Sequence, residues 1–192
     1  MRKVFNWLRI LFCLNLVSLM ACAGSTVDLY RDPNMDFGTI QTIAVMPFAN
    51  LSRESIAAER VRDVFMNTLL ATGGIYVVPP GEVARGIGRA EIQNPVAPSP
   101  EEVVKLGSMI KVQAVITGVL REYGEIRSGT TINNTISLSL QMIETQTGKV
   151  VWTASSTKGQ ITIWNRLFGG GGKPMNIVTQ KAVNELINKL FR

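Results

Sequence analysis

Apolar residues follow several different rhythms along these 192 residues, and each rhythm predicts a different element. A largely apolar run from Ile10 to Met20, broken only by Asn15 and Ser18, follows Arg2, Lys3 and Arg9. It is shorter than the roughly 20 residues a membrane span needs and has the make-up of a secretory signal. From Ala23 to Ile40 the chain is polar and interrupted, with a turn at Asp32-Pro33-Asn34. Gln41 to Phe48 is apolar at consecutive positions through Ile43-Ala44-Val45-Met46, which predicts a central strand covered on both sides. From Ser55 to Ala71 the apolar residues Val61, Val64, Phe65 and Leu69 recur at helical spacing, leaving Glu59, Arg60, Arg62 and Asp63 to face water. Gly73-Gly74 ends that helix, and Ile75 to Val78 reads as a short strand.

Pro79-Pro80 opens a short helix through Val83 and Ile87, and the proline-rich stretch 94–100 reads as a loop. Ser99 has the place of an N-cap, with Pro100 at the first helical position and Glu102 at capping-box spacing. The helix so begun runs to Ile110 and buries Val103 and Leu106. Ala114 to Tyr123 is a strand that turns polar at its end. Ile136, Leu138, Leu140 and Met142 alternate with Ser137, Ser139 and Gln141, the period of a strand with one dry and one wet face. Gln146 to Lys149 is a hairpin turn, and Val150 to Ser156 returns with Trp152 as a core residue. Met175 to Phe191 is a helix with one apolar stripe of Val178, Ala182, Leu186 and Leu190, suited to lying along a sheet. This order predicts an α/β (α+β) single domain, a mixed β-sheet flanked by helices.

Within the first segment, Leu19-Met20-Ala21-Cys22 resembles the lipobox of bacterial lipoproteins. The resemblance implies cleavage before Cys22, a diacylglyceryl thioether on its sulfur and an acylated amino terminus. An ordinary secreted protein with a chance cysteine, or an uncleaved anchor, are the alternatives. Ala23-Gly24-Ser25 lacks the aspartate that keeps enterobacterial lipoproteins in the inner membrane, so the expected address is the periplasmic face of the outer membrane. The expected organisation is a signal peptide over 1–21, a lipidated tether over 22–40 and one periplasmic domain over 41–192.

Charge and composition narrow the chemistry. Removing three basic residues with the signal lowers the formal charge from +6 to +3, and no basic run or aromatic-interleaved patch points to nucleic acid. Histidine is absent, and the only cysteines are Cys13, inside the signal, and Cys22. Ser-His-Asp and Cys-His catalysis are thereby removed, with nearly all zinc and copper sites. Glu101-Glu102 is explained by its place at a helix N-terminus, where acids are favourable. The glycines before Lys173 are followed by Pro174 where a phosphate loop needs Ser or Thr, and Arg85-Gly86-Ile87-Gly88 is half a dinucleotide fingerprint. The expectation is no enzyme, no metal and no cofactor.

Three patches resemble the CsgG-like and LpoB-like envelope lipoprotein superfamily. Thr42-Ile43-Ala44-Val45-Met46-Pro47-Phe48 with Asn50 resembles its first strand, Ala114-Val115-Ile116-Thr117-Gly118-Val119 a later one, and Thr147-Gly148-Lys149-Val150-Val151-Trp152 its hairpin. The resemblance implies a CsgG-like, anticodon-binding-like layer in a lipoprotein, often a homo-oligomeric ring, that helps a polymer cross or assemble at the outer membrane. Curli exporters carry extra membrane hairpins, for which this chain lacks the length. Activators of peptidoglycan synthases need a long arm to reach the opposite membrane, and the stretch 22–40 is short. The Pel exopolysaccharide-export branch, PelC-like, is similar in size and tether, and implies partners in outer-membrane lipid, an export porin and an anionic or cationic polysaccharide. Ile163, Trp164, Leu167 and Phe168 beside Arg166 either seat in a bilayer interface, where Trp is favoured, or cover the sheet edge. Glu122 and Glu125 are the candidate polymer-guiding acids, on the argument that a funnel for a cationic polymer should be acidic.

Overall fold

The computed structural model describes residues 29–128, 131–159 and 172–191. The elements in order are β1 (Leu29–Arg31), a 3-10 turn (Phe37–Thr39), β2 (Thr42–Val45), β3 (Ala49–Asn50), α1 (Ala57–Ala71), β4 (Tyr76–Val77), α2 (Pro80–Ala90), α3 (Pro100–Ile110), β5 (Ala114–Ser128), β6 (Thr131–Glu144), β7 (Val150–Lys158) and α4 (Met175–Leu190). The sheet order is β1-β7-β6-β5-β2-β4, with β3 also beside β5. β2 runs parallel to β4 and β5, whereas β5, β6, β7 and β1 are successively antiparallel. The predicted mixed sheet flanked by helices is therefore what the chain forms.

Side-chain alternation along β2 explains its continuous apolar run. Ile43 and Val45 enter the larger core with α1 and α4, while Ala44 and Met46 enter a second core with α2 and α3. Every one of these four is fully buried, so the strand is covered on both sides. Pro47 interrupts the ladder after Met46 N–H donates to Ile116 O, and pairing with β5 resumes at Ala49. Trp152 is fully buried in the larger core, and its Nε1 donates to Lys189 O at 3.3 Å. At α3 the capping box is complete: Ser99 Oγ accepts from Glu102 N at 3.2 Å, and Ser99 N donates to Glu102 Oε2 at 2.7 Å.

Two expectations are corrected. Residues 29–40, expected as tether, belong to the folded layer. Leu29–Arg31 pairs with Ala154 to Trp152, Arg31 Nη1 donates to Leu190 O at 2.7 Å, and the Arg31 guanidinium lies 3.6 Å from the Phe37 ring centroid. Met35 and Phe37 pack on the larger core. The contacts are long-range and the segment has no hydrophobic period, so nothing local announces them. Arg62 also fails to face water: its Nη2 donates to Val45 O at 2.5 Å, and burial lowers its pKa.

β5 and β6 are longer than predicted and remain paired to Ser128 and Thr131. Beyond Tyr123 and Ile136 the ladder continues through backbone bonds with mostly polar side chains, so the period-two signal stops before the strands do.

Candidate functional site

The helices cover the two faces of the sheet unequally. α1 and α4 lie along one face, from β2 to β7, whereas the second core takes Val115 from β5 and Ile143 from β6 and nothing from β7. Beyond Val115 and Ile143, that second face of β5, β6 and β7 is left open by the described residues. Register brings Thr117 opposite Gln141 and Gln141 opposite Thr153, and likewise Val119 opposite Ser139 and Ser139 opposite Ser155. These residues with Arg121 floor a groove of about 410 Å³, walled by Val96 and Ala97. Its polar groups are hydroxyls, one side-chain amide and one guanidinium, set among the apolar Val119, Leu140 and Ala154. The Ser139 Oγ is buried and, among the described residues, without a hydrogen-bond partner.

Glu122 and Glu125 are both exposed, but the structure does not bring them together. A register shift between Leu120 and Glu122 sets Glu122 opposite Ser137, on the open face. Glu125, three positions on, falls opposite Asn134 on the other side of the ladder, and its carboxylate lies 3.7 Å from Arg127 Nη2. An odd separation on a strand puts side chains on opposite faces, so one acidic surface made by both is corrected to two separate acids. Cys22, Ile163, Trp164, Leu167 and Phe168 lie outside the described residues. The chain on either side of 160–171 is described. Gly159 and Gly172 both lie against the backbone of β6 at Asn133 and Asn134, where a Cβ on either would collide.

Sequence reasoning missed a charged cluster beside those two glycines. Glu185 of α4 pairs with Lys158 of β7 and, at 2.8 Å, with Lys189, and accepts from Ser156 Oγ at 2.9 Å. Burial alone would raise the Glu185 carboxyl; the hydrogen bonds from Lys158, Lys189 and Ser156 outweigh it and bring the pKa to about 2. Lys181 stands one turn before Glu185, and contact with the Lys173 amine, followed by the charges of Lys173 and Lys158, lowers its pKa. These residues come from three segments, so no spacing in the sequence could have grouped them.

Three motif patches of the sequence turn out to be structural. Asn50 Nδ2 donates to the carbonyls of Glu54 and Ser55 at 2.8 and 3.0 Å, and its Oδ1 accepts from Ser52. Gly118 leaves room for Phe48 and Leu140, which a Cβ there would meet at 2.7 Å. Trp152 is core. Among the described residues no group of three or more His, Cys, Asp or Glu could hold a metal ion, and no helix is long and apolar enough to cross a membrane.

No curated protein sequence matches the chain. Among solved structures, the PelC dodecamer from Paraburkholderia phytofirmans is similar at 16% identity and TM-score 0.56, over 84% of this chain and 94% of that one. Lipoprotein GNA1162 from Neisseria meningitidis is similar at 21% identity and TM-score 0.52, over 77% and 99%. The LpoB C-terminal domain from Salmonella enterica is similar at 14% and 0.51, over 67% and 88%. At such identities the likeness is one of fold. Residues 25–157 match the family described as the peptidoglycan-synthase activator LpoB, and the chain belongs to that family.

Proposed function

We propose that this is a non-enzymatic lipoprotein, acylated at Cys22 and held on the periplasmic face of the outer membrane. There its copies form a ring that guides a secreted polymer of the exopolysaccharide class toward a separate porin. One observation carries this reading over its alternative. Leu29 is already part of the sheet, and seven chain steps separate it from Cys22, at most roughly 25 Å at full extension. A domain on so short a lead stays at its own membrane. The likeness in fold to PelC, over most of both chains, supports the same choice.

The mechanism is passive. Lipid fixes the orientation, and Ile163, Trp164, Leu167 and Phe168 seat in the bilayer interface. The groove over Thr117, Ser139, Gln141 and Thr153 offers hydroxyl and amide partners to a hydroxyl-rich chain, with Arg121 in its lining and Glu122 next along β5. Family membership favours a second reading, activation of a peptidoglycan synthase. Deleting the gene separates the two. Loss of cell-free polysaccharide with unchanged glycan-strand synthesis is expected; the reverse pattern would overturn the export reading. Trp164→Ala is expected to lower export by several fold with an unchanged melting temperature, and a large drop in melting temperature would make Trp164 a core residue.

A further inference from the structure

The sheet has two distinct ends, and cationic chemistry gathers at one of them. β7 finishes at Lys158, opposite Ile136 of β6. The Thr135 hydroxyl donates to Lys158 O at 3.1 Å, and the neighbouring Asn134 Nδ2 donates to Lys173 O at 2.9 Å. Lys158 and Lys173 are thus hung on adjacent residues of one strand. Lys181 joins them from the first half of α4, four residues before the Glu185 that pairs with Lys158. Glu185 is the carboxylate bound into this group, and it serves Lys158 and Lys189. Lys173 and Lys181 are exposed and have no ion pair among the described residues. α4 also starts at this end with no acidic residue in its first turn, so the positive pole of its dipole adds to the same field.

The entry of the chain lies toward the same end. β1 is antiparallel to β7, with Leu29 opposite Ala154 and Arg31 opposite Trp152. Its first residue is therefore the one nearest Lys158, and it stands seven chain steps from Cys22. A short lead permits few orientations of the domain on a bilayer, and the one it favours turns this end toward the headgroups.

We propose that the end of the sheet carrying Lys158, Lys173 and Lys181 docks on the anionic phosphate headgroups of the lipid bilayer that holds the chain. The inference rests on the proposed anchoring at Cys22 and adds to it the orientation of the domain. Each lysine near an anionic surface contributes about fivefold in partitioning, and the contribution fades with salt.

The test uses the mature chain with Cys22→Ser, which removes the acyl anchor so that surface binding is measured by itself. Sedimentation with vesicles of phosphatidylcholine, and of phosphatidylcholine mixed with phosphatidylglycerol, gives the partition coefficient. Binding is expected on the mixed vesicles, with release at high salt. Lys173→Gln with Lys181→Gln is expected to lower it on the order of twentyfold, since two lysines are removed. Both residues are exposed, so folding is retained. The control is Lys111→Gln with Lys149→Gln, the same loss of charge at the opposite end, where β5 and β7 begin. An equal loss in the control would overturn the proposal, as would equal binding to the neutral vesicles. Binding to soluble polygalacturonate with none to either vesicle would overturn it in favour of an acidic polymer. The mass of the native chain examines the anchor separately: unmodified Cys22 with intact lysine-dependent binding removes the anchor reading, while acylated Cys22 with lysine-independent binding removes the docking face.

Discussion

Glu185 is the residue whose environment departs most from its sequence neighbourhood. Its folded pKa is depressed to about 2 against an ordinary value of 4.5, so the folded state binds its proton less readily than the unfolded one. The stability this contributes is present above the ordinary value and is lost as pH falls from 4.5 toward 2. Thermal melts between pH 7 and pH 2.5 should therefore show an acid limb that is shallower in Glu185→Gln. An unchanged limb would mean that the Lys158, Lys189 and Ser156 contacts do not hold the carboxylate. Gly118→Ala makes a second residue-scale prediction. Phe48 and Leu140 are buried, with little room to withdraw from the added methyl, so the variant is expected to lose about 1–3 kcal/mol in urea unfolding. These two residues also mark what the sequence discloses at this scale. Ser99 can be picked out by its spacing from Glu102, and Gly118 lies in one of the patches that carry the family resemblance. Glu185 and Arg62 look like ordinary helix-surface charges, because their partners lie in other elements.

Elements were legible where one face is dry. α1, α3, α4, β2 and β7 are predicted within a few residues of where they stand, since burial imprints a period of 3.6 or of 2, or a continuous apolar run. β1 and β3 left no such imprint. They are three and two residues long, and β1 is partly exposed. The far half of the β5–β6 ladder is held by backbone bonds that any side chain permits. The docking of β1 has a direct consequence: amides in Leu29–Arg31 that bond to β7 should exchange with deuterium far more slowly than those of a free lead. Arg31→Ala should raise that exchange and cost about 1–2 kcal/mol, the worth of a part-buried charged hydrogen bond with an aromatic contact. Free exchange in the unmodified chain would return 29–40 to the role of tether.

Assembly must be argued from the edges of the whole sheet. A ring needs a heterologous contact, in which two different patches of each copy meet head to tail. The two edges of this sheet are different: β1 carries the exposed Leu29 and Tyr30, and β4 carries the exposed Tyr76. Both strands are too short to template long strand pairing, so any contact between copies relies on side chains. Under the proposed anchoring, such an interface would be modest in water and would gain from the confinement of every copy to one surface at a shared orientation. The ring reading therefore predicts that the acyl-free chain shows concentration-dependent association by native mass measurement. The acylated chain in bilayers should show closed oligomers by negative-stain imaging. Tyr30→Arg and Tyr76→Arg should each lower the oligomer fraction several fold without shifting the melting temperature, because both side chains are exposed in the single copy. Mixing the two variants discriminates further. In a head-to-tail ring each mutant retains one sound patch, so a mixture recovers pairs but not closed rings. In a two-fold symmetric dimer built on one edge, only the variant at that edge would lose association, and adding the other would not restore it. A chain that stays monomeric on membranes at high density would remove the ring and leave the anchored single domain.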